Sequence, residues 1–120
     1  MKVLLVDDEK DFLDTMAERM QARGLEVSTA TSALDALKMV EKGYYDTIIM
    51  DLMMPGLEGM EAIKALKHKQ RGLQIILQTG YVTGEEVMKA HSLGAVDIVE
   101  KPADIDMLME IIKGARGKEV

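Results

Sequence analysis

DTIIMDLMMPG, residues 46 to 56, decides how the rest of the chain is read. Ile48, Ile49 and Met50 form a continuous apolar run, as expected of a strand covered on both faces. The run ends in Asp51, and after Leu52, Met53 and Met54 the chain turns at Pro55-Gly56. A carboxylate at the end of such a strand is costly to ionise without water, a cation or a hydrogen-bond partner. What surrounds Asp51 is therefore the question put to the remaining sequence.

On either side, short apolar runs alternate with stretches of helical periodicity, five of each, the pattern of an α/β fold with a parallel sheet. Strands are expected at 2–6, 25–29, 47–50, 74–78 and 95–99. Phe12, Leu13, Met16, Ala17 and Met20 stripe a first helix that stops at Gly24, a C-terminal capping residue. A second helix follows Ser32 and carries Ala33, Leu34, Leu37 and Val40. Met60, Ile63 and Leu66 mark the third, and Thr83-Gly84-Glu85-Glu86 has the spacing of a capping box opening the fourth. Asp104 caps a fifth, striped by Ile105, Leu108, Met109 and Ile112.

Strands 1, 3 and 4 are continuously apolar and belong in the middle of the sheet, whereas Leu25-Glu26-Val27-Ser28 and Val96-Asp97-Ile98 alternate and belong at its edges. With right-handed crossovers the simplest order is 2-1-3-4-5. The expected fold is thus flavodoxin-like: a doubly wound five-stranded parallel sheet with five flanking helices. Its switch point, where ligands bind beside the carboxyl ends of strands, lies between strands 1 and 3.

The 120 residues allow one domain, expected at 1–115, with a short fraying tail at 116–120. Fifteen Lys and Arg against 21 Asp and Glu leave a net charge of -6, which argues against a nucleic-acid or anionic-membrane surface. The absence of cysteine removes disulfides and thiolate metal sites. The opening MKVLLVDDEK has an apolar run too short for a signal peptide or a membrane span, so a cytoplasmic protein is expected. Eleven Met and few aromatic residues point to a core packed by aliphatic and thioether groups.

The strand ends answer the question about Asp51. Strand 1 runs into Asp7-Asp8, strand 4 into Thr79-Gly80, and strand 5 is followed by Glu100-Lys101-Pro102. Three carboxylates at one rim repel one another unless a cation sits among them, and hard oxygen ligands suit Mg²⁺. Acid, acid, hydroxyl and ammonium together suit phosphoryl transfer onto a carboxylate. The metal and Lys101 neutralise phosphate charge, Thr79 bonds a phosphoryl oxygen, and Asp51 is the nucleophile.

In this set the chain resembles, over essentially its whole length, the receiver domain of two-component response regulators. The matching residues are Asp7-Asp8, Asp51 with Met54-Pro55-Gly56 and Gly59, Thr79-Gly80 and Lys101-Pro102. The resemblance implies that Asp51 accepts a phosphoryl group from the phosphohistidine of a sensor histidine kinase or phosphotransfer protein. It implies Mg²⁺ bound by Asp8 and Asp51, with Asp7 holding metal-bound water and the Met53 main-chain carbonyl as a further ligand. Lys101 would contact the phosphate, and the Lys101-Pro102 peptide is commonly cis in the family. Thr79, Gly80, Ile98, Lys101 and Pro102 would form the switch that changes the face of the fourth helix, fifth strand and fifth helix. That face would act on an effector or output domain, or form a homodimer. Such a protein catalyses its own phosphorylation and dephosphorylation, with no turnover of a separate substrate.

The sequence departs from the family pattern at three places. Ile98 stands where many receivers carry a switch aromatic, Gly80 where Ala is frequent, and Ala103 where a larger apolar residue is usual. Met53 and Tyr81 would flank the phosphate and obstruct in-line water, which predicts a long-lived phosphoryl-aspartate.

Other readings have less support. A flavodoxin-like carrier would place an anionic cofactor at the first strand-helix loop, where Asp7-Asp8-Glu9 repels it. An aspartate-nucleophile phosphohydrolase usually carries a second Asp two places after the nucleophile, where this chain has Met53. The runner-up is a receiver-fold interaction module that works independently of phosphorylation. His68, His91 and the Tyr44-Tyr45 pair show no spacing that suggests a site.

Overall fold

A computed structural model describes residues 1–52, 59–80, 83–95, 97–101 and 103–118, without the side chains of 59–60 and 115–118. In chain order the elements are β1 (Lys2–Val6), α1 (Lys10–Ala22), β2 (Glu26–Ala30), α2 (Ala33–Lys42), β3 (Thr47–Asp51), α3 (Gly59–Lys69), β4 (Gln74–Thr79), α4 (Gly84–Ser92), β5 (Asp97–Glu100) and α5 (Ile105–Lys118). All strand pairings are parallel, and the sheet order is β2-β1-β3-β4-β5. The flavodoxin-like, doubly wound architecture expected from the strand patterns is the one observed.

Alternation along the strands sorts the core into two layers. Leu4, Val6, Ile48, Met50, Ile75, Leu77 and Ile98 pack with α2, α3 and α4 residues on one face. Val3, Leu5, Ile49, Ile76 and Val99 pack with Leu13, Met16 and Met20 of α1 and Leu108, Met109 and Ile112 of α5 on the other. The three central strands are buried at every position except Lys2, whereas β2 is largely half-exposed. Each large aliphatic side chain withdrawn from water contributes about 1.5–3 kcal/mol, which is what holds β3 and its terminal Asp51 in place.

Two expected strands begin later than their apolar residues suggest, and for the same reason. The N–H groups of Gly24 and Leu25 donate to the carbonyls of Gln21 and Met20, and those of Gly94 and Ala95 to His91 and Ala90. These are paired Schellman closures of α1 and α4, each turned by a glycine with positive φ, 90° at Gly24 and 105° at Gly94. Leu25 and Ala95 are spent on finishing helices, so β2 starts at Glu26 and β5 at Asp97. Val96 lies outside the described residues.

The capping expectations are met. The Ser32 hydroxyl accepts from Asp35 N–H at 3.1 Å, and Asp104 Oδ1 accepts from Asp106 N–H at 2.7 Å. Thr83 and Glu86 form a reciprocal capping box. Leu34, placed with the apolar stripe of α2, is instead 59% exposed, because Ala33, Ala36 and Val40 make the buried line and leave it at the edge. The backbone of α5 runs to Lys118, past the expected domain end at 115.

Candidate functional site

Because every strand runs the same way, the carboxyl ends of β1, β3, β4 and β5 open onto one rim, and chain segments far apart in sequence meet there. Asp7 is the first residue after β1. It is almost fully buried, its N–H donates to the Ala30 carbonyl at 3.1 Å, and its Oδ1 accepts from Glu9 N–H at 2.9 Å. Asp51 is the last residue of β3 and is also buried. Asp8 and Glu9 are exposed beside them, just ahead of α1, whose N-terminal dipole favours negative charge.

Lys101 meets these acids from the far side of β4. Its Nζ is 2.6 Å from Asp7 Oδ2, 2.9 Å from Asp51 Oδ2 and 3.6 Å from Glu9 Oε1. The ammonium also lies 4.8 Å from the centre of the Phe12 ring, a cation–π contact from α1. Burial by itself would lower the Lys101 pKa, but hydrogen bonds to Asp7 and Asp51, reinforced by their charges, push it well above the ordinary lysine value. The residue is therefore a fixed cation at neutral pH.

One ammonium does not balance the acids. Asp7, Asp8, Glu9 and Asp51 each offer a carboxylate oxygen, and these oxygens all lie within 4.8 Å of one another. Four hard oxygen donors at that separation, two of them buried, fit a divalent cation of the Mg²⁺ or Ca²⁺ type. Glu9 was not among the residues singled out from the sequence as site residues. Its position next to Asp7-Asp8 was visible there, but its reach toward Lys101 depends on how α1 leaves the sheet.

Thr79 ends β4, and its carbonyl accepts from Lys101 N–H at 2.8 Å, so the backbone that carries the ammonium hangs on the residue expected to supply the hydroxyl. The Thr79 side chain is buried, and alternation puts it with Leu77 and Ile98 on the α3/α4 face. Gly80 follows, exposed, with nothing within 4 Å of where a Cβ would be, so space does not demand a glycine there. Ile98 is buried in the core rather than at the rim. Met53, with its carbonyl, the 54–56 turn, Tyr81 and Pro102 with its peptide bond lie outside the described residues.

Two further residues belong to the site and were not identified from the sequence. Phe12, expected as core, is half-buried and lends its ring face to Lys101. Gln78, read only as part of a strand, is the register partner of Asp51, and its carbonyl accepts from Leu52 N–H at 2.7 Å.

Comparison with known proteins agrees with this arrangement. The family model described as response regulator receiver domain matches residues 3–113. Sporulation initiation phosphotransferase F of Bacillus subtilis is 30% identical over 93% of this chain and 90% of its own length. Regulatory protein AtoC of Escherichia coli is 31% identical over 95% of this chain, which spans only 25% of that longer protein. A response regulator from Burkholderia pseudomallei, solved with a phosphorylated aspartic acid, calcium ion and citrate, superposes with TM-score 0.87 at 25% identity, over 99% of this chain and 72% of that one. Response regulator TrrA of Thermotoga maritima, solved in complex with Mg²⁺ and beryllofluoride, gives TM-score 0.83 at 33% identity, over 94% and 96% of the two chains. With a family match over nearly its full length and the carboxylate and lysine cluster at the expected strand ends, the chain belongs to the response regulator receiver domain family.

Proposed function

We propose that this chain accepts a phosphoryl group on Asp51, in a Mg²⁺-dependent reaction, from the phosphohistidine of a sensor histidine kinase or phosphotransfer protein. The observation that carries the reading is the placement of one buried carboxylate, Asp51, 2.9 Å from a fixed ammonium and within 4.8 Å of three further acidic oxygens. The solved relatives that hold a phosphorylated aspartic acid with calcium, or Mg²⁺ with beryllofluoride, support the same chemistry.

An Asp51 oxygen forms the new bond to phosphorus while the bond from phosphorus to the donor breaks, and the electron pair leaves with the donor. Asp7, Asp8 and Asp51, with the Met53 carbonyl, would hold the metal, which when bound neutralises phosphoryl charge. Lys101 follows the charge from the carboxylate to a phosphoryl oxygen, and Thr79 gives that group a hydroxyl donor. Met53 and Tyr81 would screen the phosphoryl-aspartate from in-line water, so the only hydrolysis expected is of its own slowly lost phosphate. The working unit is taken as 1–115, in the cytoplasm.

Phosphorylation adds about -1.5 to -2 charge, and Thr79, Gly80, Lys101 and Pro102 would convey it to α4, β5 and α5. Met88 of α4 and Met107 of α5 are 75% and 42% exposed, apolar groups suited to contact an effector, an output domain or a second copy. A second reading, an interaction module independent of phosphorylation, is favoured by Ile98, which already sits in the core and has no ring to swing inward.

Intact-mass measurement after incubation with acetyl phosphate and Mg²⁺ tests the first reading. One phosphoryl group is expected on wild type and none on Asp51→Asn. Partner binding that is identical in both proteins in the presence of phosphodonor would instead favour the second.

A further inference from the structure

Asp51 ends β3 and Lys101 follows β5, with β4 between them. Neighbouring strands are about 4.8 Å apart, so the 2.9 Å ion pair closes over β4, on the α1/α5 face where Phe12 meets the ammonium. The β4 residue on that face at that level is Gln78, in register with Asp51 on one side and Val99 on the other. Its side chain is therefore the floor under the ion pair.

A carboxamide in that floor is costly to bury. Gln78 is 2% exposed, and among the described residues its Oε1 has no hydrogen-bond partner. The other glutamine on the same face of β4 shows what this geometry permits: Gln74 Oε1 accepts from Thr47, its own register partner on β3, at 3.2 Å. Side chains thus bridge β3 and β4 at the opposite end of the same strands. At the rim, the β3 partner is Asp51, an acceptor with no proton to give, and the acceptor end of Gln78 is left over.

We propose, building on the phosphoacceptor reading above, that Gln78 is a positioning residue whose Oε1 receives a Lys101 N–H once phosphorylation takes the Asp51 oxygen out of that contact. In the unphosphorylated protein Lys101 donates to Asp51 at 2.9 Å and is ion-paired with Asp7 at 2.6 Å. When an Asp51 oxygen becomes bonded to phosphorus, the ammonium re-aims: one N–H follows the charge to a phosphoryl oxygen, one stays with Asp7, and the third, which has only Glu9 at 3.6 Å, is left to find an acceptor. The unpartnered oxygen beneath it supplies one. Gln78 then costs stability before phosphorylation and returns it afterwards, which biases the protein toward the phosphorylated arrangement.

The variant Gln78→Met keeps length and removes both amide functions. Beryllofluoride, titrated in the presence of Mg²⁺, is expected to bind it about tenfold more weakly than wild type, the effect of one hydrogen bond to a charged group. Its Mg²⁺ midpoint without beryllofluoride should be unchanged, and its thermal midpoint without ligand equal to wild type or higher. Equal beryllofluoride affinity overturns the proposal, as does weaker binding accompanied by a lower thermal midpoint, the mark of a packing role alone. In wild type, independently of any variant, the Gln78 side-chain amide resonances should shift on adding Mg²⁺ and beryllofluoride, and an unmoved signal also overturns it. A wild-type protein that binds no beryllofluoride removes the phosphoacceptor reading itself, and this inference falls with it.

Discussion

Lys101 Nζ stands 2.6 Å from Asp7 Oδ2, closer than to Asp51, so the ammonium pairs with the two buried carboxylates of the acidic group that would hold a divalent ion. A bound cation and the lysine would then compete for the same carboxylates. Lys101→Met is therefore expected to lose about 3 kcal/mol of stability without metal, the effect of leaving buried acids unpaired. The same variant should bind Mg²⁺ more tightly than wild type and regain much of the lost stability when it does. Urea unfolding with and without Mg²⁺ measures both; a variant that binds Mg²⁺ more weakly would show that the lysine does not occupy the cation's place.

The pH dependence of that contribution follows from its direction. Desolvation lowers the Lys101 pKa, and the Asp7 and Asp51 contacts raise it by more, so the folded-state value lies above the unfolded one. A group raised on folding gives its full stabilisation below the unfolded value and loses it as pH climbs through the folded value. The stability difference between wild type and Lys101→Met should stay constant from neutral pH to about pH 9 and shrink only in strongly alkaline solution. Unfolding curves collected across that range check it.

Thr83 fastens the start of α4 through a hydroxyl that accepts from Glu86 N–H at 3.1 Å and a main-chain N–H that donates to Glu86 Oε1 at 3.3 Å. Thr83→Ala should cost about 1 kcal/mol and speed amide hydrogen exchange in the first turn of α4 more than in α1. Uniform acceleration across both helices would contradict a local role for the cap.

Glycines at the helix ends should divide into two groups. Gly24→Ala is expected to destabilise by about 1–2 kcal/mol, because the position has φ 90° even though space for a methyl is open. Gly43→Ala should be nearly silent, since φ there is -147° and the nearest atom to a new Cβ, the Met39 carbonyl oxygen, is 3.8 Å away. Paired urea titrations separate them, and equal costs would remove backbone strain as the cause.

Element types, sheet order and the convergence of Asp7, Asp8, Asp51 and Lys101 were legible because each depends on a local signal: apolar runs, alternation, caps and strand-end chemistry. The exact starts of β2 and β5 were not, because Leu25 and Ala95 satisfy helix ends through hydrogen bonds that no apolar pattern encodes. Leu34 was misplaced because adjacent positions on a helix share an apolar reading until the neighbouring element is known. Glu9, Phe12 and Gln78 joined the site through contacts or register between distant segments, and a Gln inside an apolar strand looks like any tolerated polar residue until its oxygen proves to have no hydrogen-bond partner among the described residues.

The bond from Lys101 N–H to the Thr79 carbonyl fixes the lysine's main chain to the neighbouring strand at 2.8 Å, while the charged tip is held separately by Asp7 and Asp51. The ammonium is in effect a boom on an anchored post: its head rests between two oxygens while its base is tied into the sheet. Under the phosphoacceptor reading proposed above, a shift of Thr79 toward phosphate would drag that post as well, gearing two parts of the rim to each other through that peptide contact.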